Sequence, residues 1–303
     1  MISLQTPEPP EVGSDAGLSG AAAPDAARPS RARRLLRRLS WLWVLLAGVG
    51  AYLLLLRTLL VTENPNFFPS LILLGSIVVP AAVLTFAATG GKRGIRVNAG
   101  IVTFTVIAGG VLGTVAAGTL EYDTLRALDA LPMIMVALIE EASKILVPAA
   151  VLLINRRLRW PAAVVLGVAS GTGFATLETM GYGFTALLSG GLAALDETLL
   201  LRALLAPAGH VAWTGLSMGA IGRIRGSSHR SRATFIAIGV FVAVVILHAV
   251  WDASSSSVVR IVVALLSFIA LMLTLVAARR AEGSVAAQTI QSTRAGGQST
   301  QAP

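Results

Sequence analysis

The chain has 303 residues, of which 55% are hydrophobic and only 13% are charged, and its formal net charge is +9. It contains no cysteine, which excludes disulfides, a thiolate metal site and a cysteine nucleophile. The positive charge lies in short segments between apolar runs rather than in a nucleic-acid-binding module, so we predict no nucleic-acid partner. This composition is typical of multi-pass membrane proteins.

Both ends of the chain are predicted to be disordered cytoplasmic tails. Residues 1–40 begin with a stretch rich in Pro, Ala, Gly and Ser, which has little apolar surface to bury. A basic cluster next to a membrane span favours a cytoplasmic position and contact with anionic lipid. That cluster directly precedes Trp41 and consists of Arg28, Arg31, Arg33, Arg34, Arg37 and Arg38. The second tail, 281–303, is polar and rich in small residues.

Between the tails, residues 41–280 are predicted to form the transmembrane domain. Its apolar segments each approach or exceed the roughly 20 residues that a spanning helix needs. We therefore predict an all-α, polytopic transmembrane helix bundle of about eight spans. The segments are 41–61, 68–89, 99–119, 131–154, 160–188, 198–222, 234–257 and 258–278.

The connections between these segments alternate in charge and predict the orientation. Lys and Arg in short loops mark the cytoplasmic side, so both termini are expected in the cytoplasm. The expected location is the cytoplasmic membrane of a bacterial cell, which the chain crosses several times. One set of connections, the basic end, carries Lys92, Arg93, Arg96, Arg156, Arg157, Arg159, Arg223, Arg225, Arg230, Arg232, Arg279 and Arg280. The other set, the acidic end, carries Glu63, Glu121, Asp123, Asp129, Asp196 and Glu197.

Segment 131–154 carries Glu140, Glu141 and Lys144 in the middle of an apolar run. An ionisable side chain near the bilayer centre costs from about 2.5 to over 10 kcal/mol, so a membrane anchor would not carry three of them. Glu140 and Lys144 are four residues apart and share a helix face, whereas Glu141 is expected to point to a neighbouring surface. Pro148 cannot donate to the carbonyl of Lys144, which could then bind a peptide or water.

Later segments add four more ionisable residues, namely Glu178, His210, His248 and Asp252. Counting at about 1.5 Å per residue places them in one layer, central or displaced toward the acidic end. His248 and Asp252 are four residues apart, so the carboxylate could fix the imidazole tautomer. We predict one shared site, built by the helices within 131–257.

Four short motifs occur in order along these helices. They are Glu-Glu-x-x-Lys at Glu140, Glu141 and Lys144, Phe-x-x-x-Glu at Phe174 and Glu178, His210, and His-x-x-x-Asp at His248 and Asp252. Together they resemble the PrsW-type family of intramembrane proteases and, more distantly, the CAAX prenyl endopeptidase and bacteriocin-processing superfamily. One departure is Thr179, where the family usually has Asn after the glutamate of the second motif.

The resemblance implies hydrolysis of a peptide bond in a membrane-embedded protein substrate, such as an anti-sigma factor, near the extracytoplasmic side. In a glutamic version, Glu140 or Glu141 is the general base. His210 and His248 then donate to the developing oxyanion, and Asp252 orients His248.

The resemblance equally allows a metal-dependent version. Zinc would be held by Glu178, His210 and His248, and a glutamate of the adjacent pair would remain the base. Lys144 would pair with a carboxylate in either version. Because no compact His-Glu-x-x-His motif is present, the sequence slightly favours the metal-free version.

The same ionisable residues also suit a different class of protein. Intramembrane Glu, Lys and His form proton relays, so a proton- or ion-coupled transporter is the alternative interpretation. A transporter needs access to the site from both faces of the membrane. A membrane scaffold that binds a partner helix without catalysis is a third interpretation.

Overall fold

The computed structural model describes residues 31–90, 94–129 and 131–299, and all regular structure in them is helical. Two short 3-10 turns, Pro65–Phe67 and Ala206–Ala208, interrupt the α-helices. The helices are α1 Arg31–Arg38, α2 Ser40–Thr62, α3 Phe68–Thr89, α4 Ala99–Leu128, α5 Met133–Ile154, α6 Trp160–Leu205, α7 His210–Gly226, α8 Arg230–Ala253 and α9 Ser257–Ser299.

Parts of the predicted tails and of one basic connection lie outside the described residues, including Arg28, Lys92 and Arg93. Two helices occupy tail residues for which disorder is predicted. α1 lies within 1–40, and α9 continues beyond the last apolar residues through 281–299. These segments are rich in Arg and Ala, which have high intrinsic helix propensity.

Six helical stretches in the described residues are long and apolar enough to cross a membrane. α5 is not among them, because it carries three ionisable residues in its centre. The stretch from Trp160 to Gly226 counts once, although its chain direction reverses within it. The structure therefore confirms an all-helical, multi-pass architecture, while the number of about eight spans and the cytoplasmic termini stay predictions.

The reversal within α6 occurs at Gly191, whose backbone angles are φ 71° and ψ −159°. Glycine adopts such a conformation readily, whereas other residues are strained there. Beyond it, Leu195 and Leu199 approach Gly183 and Arg202 reaches Glu178, so residues 192–205 run back along residues 178–190. We call 192–205 the return arm.

A break separates the return arm from α7. Pro207 and Gly209 lie between them, and His210 becomes the first residue of α7. The sequence predicts a single apolar segment over 198–222, and the structure divides it at this point. α7 then continues antiparallel to the first part of α6, where Gly171 packs against the backbone of His210.

α6 is the central helix of the bundle, since every residue from 161 to 176 is buried. It approaches α4 closely at Gly173 and Gly110, where an added Cβ on Gly173 would clash with the carbonyl oxygen of Val106. It contacts α5 through Ser170, whose Oγ donates to the carbonyl of Lys144 at 2.7 Å. These contacts bring the charged turn of α5 against the middle of α6.

Candidate active site

All seven residues predicted for the site lie in one connected group where α5, α6, α7 and α8 meet. At 1.5 Å per residue, Glu140 is about 10 Å from the start of α5 and about 21 Å from its other end. Asp252 is one residue from the end of α8. The group therefore lies in the half of the bundle nearer the acidic end.

Lys144 occupies the centre of the group and is fully buried. Its Nζ donates to Glu140 Oε2 at 2.9 Å and to Glu141 Oε1 at 2.9 Å, and it lies 2.6 Å from His210 Nδ1. Glu141 was expected to point away from this face. It shares Lys144 with Glu140 instead, because residues three apart on a helix are also neighbours.

His210 is held between two helices. Its Nε2 lies 2.7 Å from Glu178 Oε2, and its Nδ1 faces Lys144 and lies 3.9 Å from Glu140 Oε2. The ring of Phe174 is 5.4 Å from the imidazole ring, centroid to centroid. One nitrogen of His210 thus faces an orienting carboxylate, and the other faces the centre of the group.

His248 has a similar arrangement on the opposite side. Its Nδ1 lies 3.0 Å from Glu141 Oε1, although not in the direction of a hydrogen bond. Its Nε2 lies 3.1 Å from Asp252 Oδ2 and 3.7 Å from Glu140 Oε2. Glu140 Oε2 and Glu141 Oε1 therefore each lie within 3.9 Å of both imidazoles.

Trp213 fixes the ring of His248, and the sequence analysis did not select it. Its ring stacks on the imidazole with centroids 4.6 Å apart and planes inclined by 27°. The indole Nε1 donates to Ser267 Oγ at 2.9 Å, which anchors the stack to α9. The available signal was its position three residues after His210, on the same face of α7.

Arg202 is the second residue that the sequence analysis missed. It lies on the return arm, where Nη2 donates to Glu178 Oε2 at 2.6 Å and Nε donates to Thr179 Oγ1 at 2.9 Å. The guanidinium also lies over the ring of Tyr182, 4.2 Å from its centroid. An arginine inside the predicted 198–222 segment carries the same cost as the other intramembrane charges, and that rule could have found it.

Three residues of the group could hold a metal ion. Glu140, His210 and His248 each offer one ligand atom, and these atoms lie within 4.8 Å of one another. Two imidazole nitrogens and a carboxylate oxygen are a donor set that zinc accepts, and ligands of one tetrahedral zinc are about 3.4 Å apart at bonds of about 2.0–2.1 Å. Glu140 Oε2 is 3.7 Å from His248 Nε2 and 3.9 Å from His210 Nδ1, so an ion would need to draw these atoms closer and replace the Lys144 ammonium beside them.

This converging group differs in one member from the ligand set predicted from the sequence. Glu178 was predicted as a ligand, but its carboxylate contacts Arg202 and the outer nitrogen of His210. Glu140 takes its place in the group. The difference arises because Arg202 arrives from the return arm, which the sequence analysis did not resolve.

The sequence model of PrsW family intramembrane metalloproteases matches residues 40–278. The chain belongs to the PrsW family. The match spans α2 to most of α9 and includes all seven site residues, so the chain is a multi-pass membrane protein of a protease family. No curated protein and no solved structure gives a significant match. PrsW membership does not support the transporter interpretation.

The PrsW-family site has a closed side and an open side. The side chains of Glu141, Lys144 and His248 are at most 1% exposed. Those of Glu178, Arg202 and Asp252 are 20%, 27% and 29% exposed. The edge formed by these three residues is therefore the exposed side of the site.

Proposed function

We propose that the chain is a metal-dependent intramembrane endopeptidase that hydrolyses a peptide bond of a membrane-embedded protein. The observation that carries this proposal is the convergence of Glu140, His210 and His248, whose ligand atoms lie within 4.8 Å of one another. The outer nitrogen of His210 lies 2.7 Å from Glu178 Oε2, an arrangement by which proteins orient histidines that ligate metals. The Nδ1 of His248 lies 3.0 Å from Glu141 Oε1. The family's description as metalloproteases agrees with this assignment.

Zinc is an ion that this set of two nitrogens and one carboxylate suits. Glu140, His210 and His248 would hold the ion, which when bound would supply Lewis-acid polarisation of the scissile carbonyl. The protein's own residues orient these ligands and exclude bulk water, since His248 is 1% exposed.

Glu141 is the general base in this proposal. Lys144 fixes Oε1 at 2.9 Å, while Oε2 is buried and has no hydrogen-bond partner among the described residues. A buried carboxylate oxygen without a partner is poised to accept a proton from water. The oxygen of that water attacks the peptide carbonyl, the C–N bond breaks, and the proton passes from Glu141 to the leaving amine.

The position of Lys144 favours the metal-free version. Its Nζ already contacts Glu140 Oε2 and His210 Nδ1, two of the atoms that a metal would bind. In a metal-free enzyme the same ammonium would keep the two glutamates together, and the histidines would stabilise the oxyanion. Removal of metal separates the two versions.

The position of the site supports cleavage near the extracytoplasmic side. Glu140 lies in the half of α5 nearer the acidic end, and the open edge contains Asp252 close to the end of α8. The alternation of basic and acidic connections predicts that this end lies outside the cytoplasm. We infer a regulatory substrate of the anti-sigma-factor kind in a bacterial cytoplasmic membrane.

The test is cleavage of a panel of single-span peptides, each with a fluorogenic segment beyond the span, by the protein in lipid vesicles. Metal content is measured on the same samples. Glu141→Gln is expected to retain the metal and lose at least about 100-fold in cleavage rate, as for loss of a general base. His248→Ala is expected to lose both.

His229→Ala is the matched control, because His229 is exposed in a connection at the basic end. It should leave cleavage and metal content unchanged. Full cleavage after complete removal of metal would overturn the metal-dependent version. Cleavage that survives combined Glu140→Gln and Glu141→Gln changes would overturn the protease assignment of this site.

A further inference from the structure

Arg202 joins the two arms of α6 beside the proposed active site. Its guanidinium reaches two acceptors on adjacent residues, Glu178 Oε2 at 2.6 Å and Thr179 Oγ1 at 2.9 Å. The same Oε2 of Glu178 lies 2.7 Å from His210 Nε2. One carboxylate oxygen therefore links the guanidinium to the imidazole.

This chain of contacts determines which nitrogen of His210 carries a proton. Lys144 Nζ lies 2.6 Å from Nδ1 and can only donate, so Nδ1 must present a lone pair. The carboxylate of Glu178 accepts, so Nε2 is the nitrogen that carries hydrogen in the neutral ring. Both neighbours select the same tautomer, and that tautomer puts the lone pair on Nδ1, the atom that a metal would bind in place of the ammonium.

We propose that Arg202 is a positioning residue that acts through Glu178 to hold His210 in this tautomer and orientation. The inference rests on the proposed function, because His210 matters in this way only as a ligand or donor in the active site. Thr179 takes part as the second acceptor of the guanidinium. The residue at which this chain departs from the family pattern thereby contributes to the same arrangement.

The geometry requires an arginine rather than a lysine. A guanidinium presents its donors in a rigid planar fork, so Nε and Nη2 can bind two acceptors at once. Its flat face also lies over the ring of Tyr182 at 4.2 Å, a contact that an ammonium on a flexible stem does not reproduce in the same position. Lys at 202 would keep the charge and lose the orientation.

The experiment compares Arg202→Gln and Arg202→Lys in the full chain in lipid nanodiscs, with and without Glu178→Gln. The first readout is the tautomer of His210, measured at one pH without metal or substrate by nitrogen NMR of histidine-labelled protein. We expect wild type to hold the Nε2-protonated form and Arg202→Gln to populate both forms. Arg202→Lys is expected to restore the wild-type distribution only in part.

The second readout is binding of zinc ions alone, followed by cleavage where wild type cleaves. Loss of an orienting partner of a metal-ligating histidine weakens metal affinity or activity by about 10–100-fold, and we expect this range for Arg202→Gln, with kcat reduced more than KM. If Arg202 acts through Glu178, adding the Arg202 change to Glu178→Gln should cost less than about threefold more. Arg57→Gln, at an exposed arginine of α2, is the control and should match wild type.

Two results would overturn the proposal. One is an unchanged tautomer and unchanged zinc affinity in Arg202→Gln. The other is an equal loss with and without Glu178, which would mean that Arg202 only joins the two arms of α6. The tautomer is measured without substrate, so it tests the role of Arg202 whether or not wild type cleaves. Absence of cleavage by wild type would count against the proposed function only.

Discussion

Ser170 of α6 donates its hydroxyl to the main-chain carbonyl of Lys144 in α5 at 2.7 Å. Pro148 has no N–H to donate to this carbonyl, so without Ser170 the carbonyl would have no partner within its own helix. The sequence alone predicts that this free carbonyl could bind a peptide or water. The structure corrects this expectation, since the carbonyl fixes the charged turn of α5 to the central helix.

Replacement of Ser170 by alanine should therefore destabilise the protein. The carbonyl of Lys144 would be left without its side-chain partner in a buried place, which costs about 1–3 kcal/mol. Thermal unfolding in one detergent measures the change. Ser189→Ala is the control, because Ser189 is exposed on the same helix and bonds only to the preceding turn. Equal stability of the two variants would show that the Ser170 contact is not made.

Close approach of α4 and α6 gives a second prediction. A Cβ on Gly173 would meet the carbonyl oxygen of Val106 and the backbone of Gly110, neither of which is a flexible side-chain end. Gly173→Ala should force the helices apart and cost about 1–3 kcal/mol, as overpacking does. In Gly181→Ala, the added Cβ meets nothing within 4 Å, so no such loss is expected. Unfolding midpoints of the two variants decide between these outcomes.

Most of the site could be predicted from the sequence because intramembrane charge is expensive. That cost makes Glu140, Glu141 and Lys144 exceptional on one helix. It also predicts that His210 and His248, in later segments, share a site with them. The structure brings these five side chains into contact. The apolar segments likewise predicted an all-helical membrane bundle, and most helices begin or end close to the predicted positions.

The return arm could not be predicted in the same way. Hydropathy measures the apolar content of a segment and does not detect a reversal at Gly191 or a break at Pro207. Without the arm, nothing in the sequence places Arg202 beside Glu178. The predicted direction of Glu141 was wrong for another reason. Glu141 and Lys144 are three residues apart, so they are neighbours on the helix surface despite the 100° rotation per residue, and Lys144 Nζ donates to Glu141 Oε1.

The orientation of the chain is open to direct measurement. Basic connections such as 155–159 and 222–232 should lie in the cytoplasm, and acidic turns such as Glu63 should lie outside. Reporter fusions after Arg280 are expected to be active only with a cytoplasmic reporter, and fusions after Glu63 only with an extracytoplasmic one. The opposite pattern after Arg280 would contradict both the count of about eight spans and the proposed side of cleavage.

Gly191 tests whether the return arm matters for the site. Its φ of 71° is strained for residues with a Cβ, although an added Cβ would have open space around it. Gly191→Ala should therefore cost about 1–3 kcal/mol through the backbone alone. Because the reversal aligns Arg202 with Glu178, cleavage should fall as well. Gly50→Ala, in α2 with open space and ordinary helical angles, should change neither the unfolding midpoint nor the cleavage rate.

Lys144 gives the prediction that links stability to the proposed metal. Its Nζ is the cation that lies between Glu140 Oε2 and Glu141 Oε1, each at 2.9 Å. Lys144→Met keeps much of the side-chain volume and leaves two buried carboxylates facing each other, and removing one partner of a buried ion pair costs about 3–5 kcal/mol. Cleavage should fall at least about tenfold, because Glu141 then has no fixed orientation.

Zinc ions should restore part of the stability that Lys144→Met removes. A divalent cation bound by Glu140 and both histidines would supply positive charge where the ammonium was, and it stabilises the folded state by mass action. The shift in unfolding temperature on adding zinc is therefore expected to be larger in Lys144→Met than in wild type, where the ammonium competes for the same atoms. His248→Ala combined with Lys144→Met removes a ligand and should abolish the shift. An equal shift in all three proteins would mean that zinc binds elsewhere, and the converging group would then have to be explained without a metal.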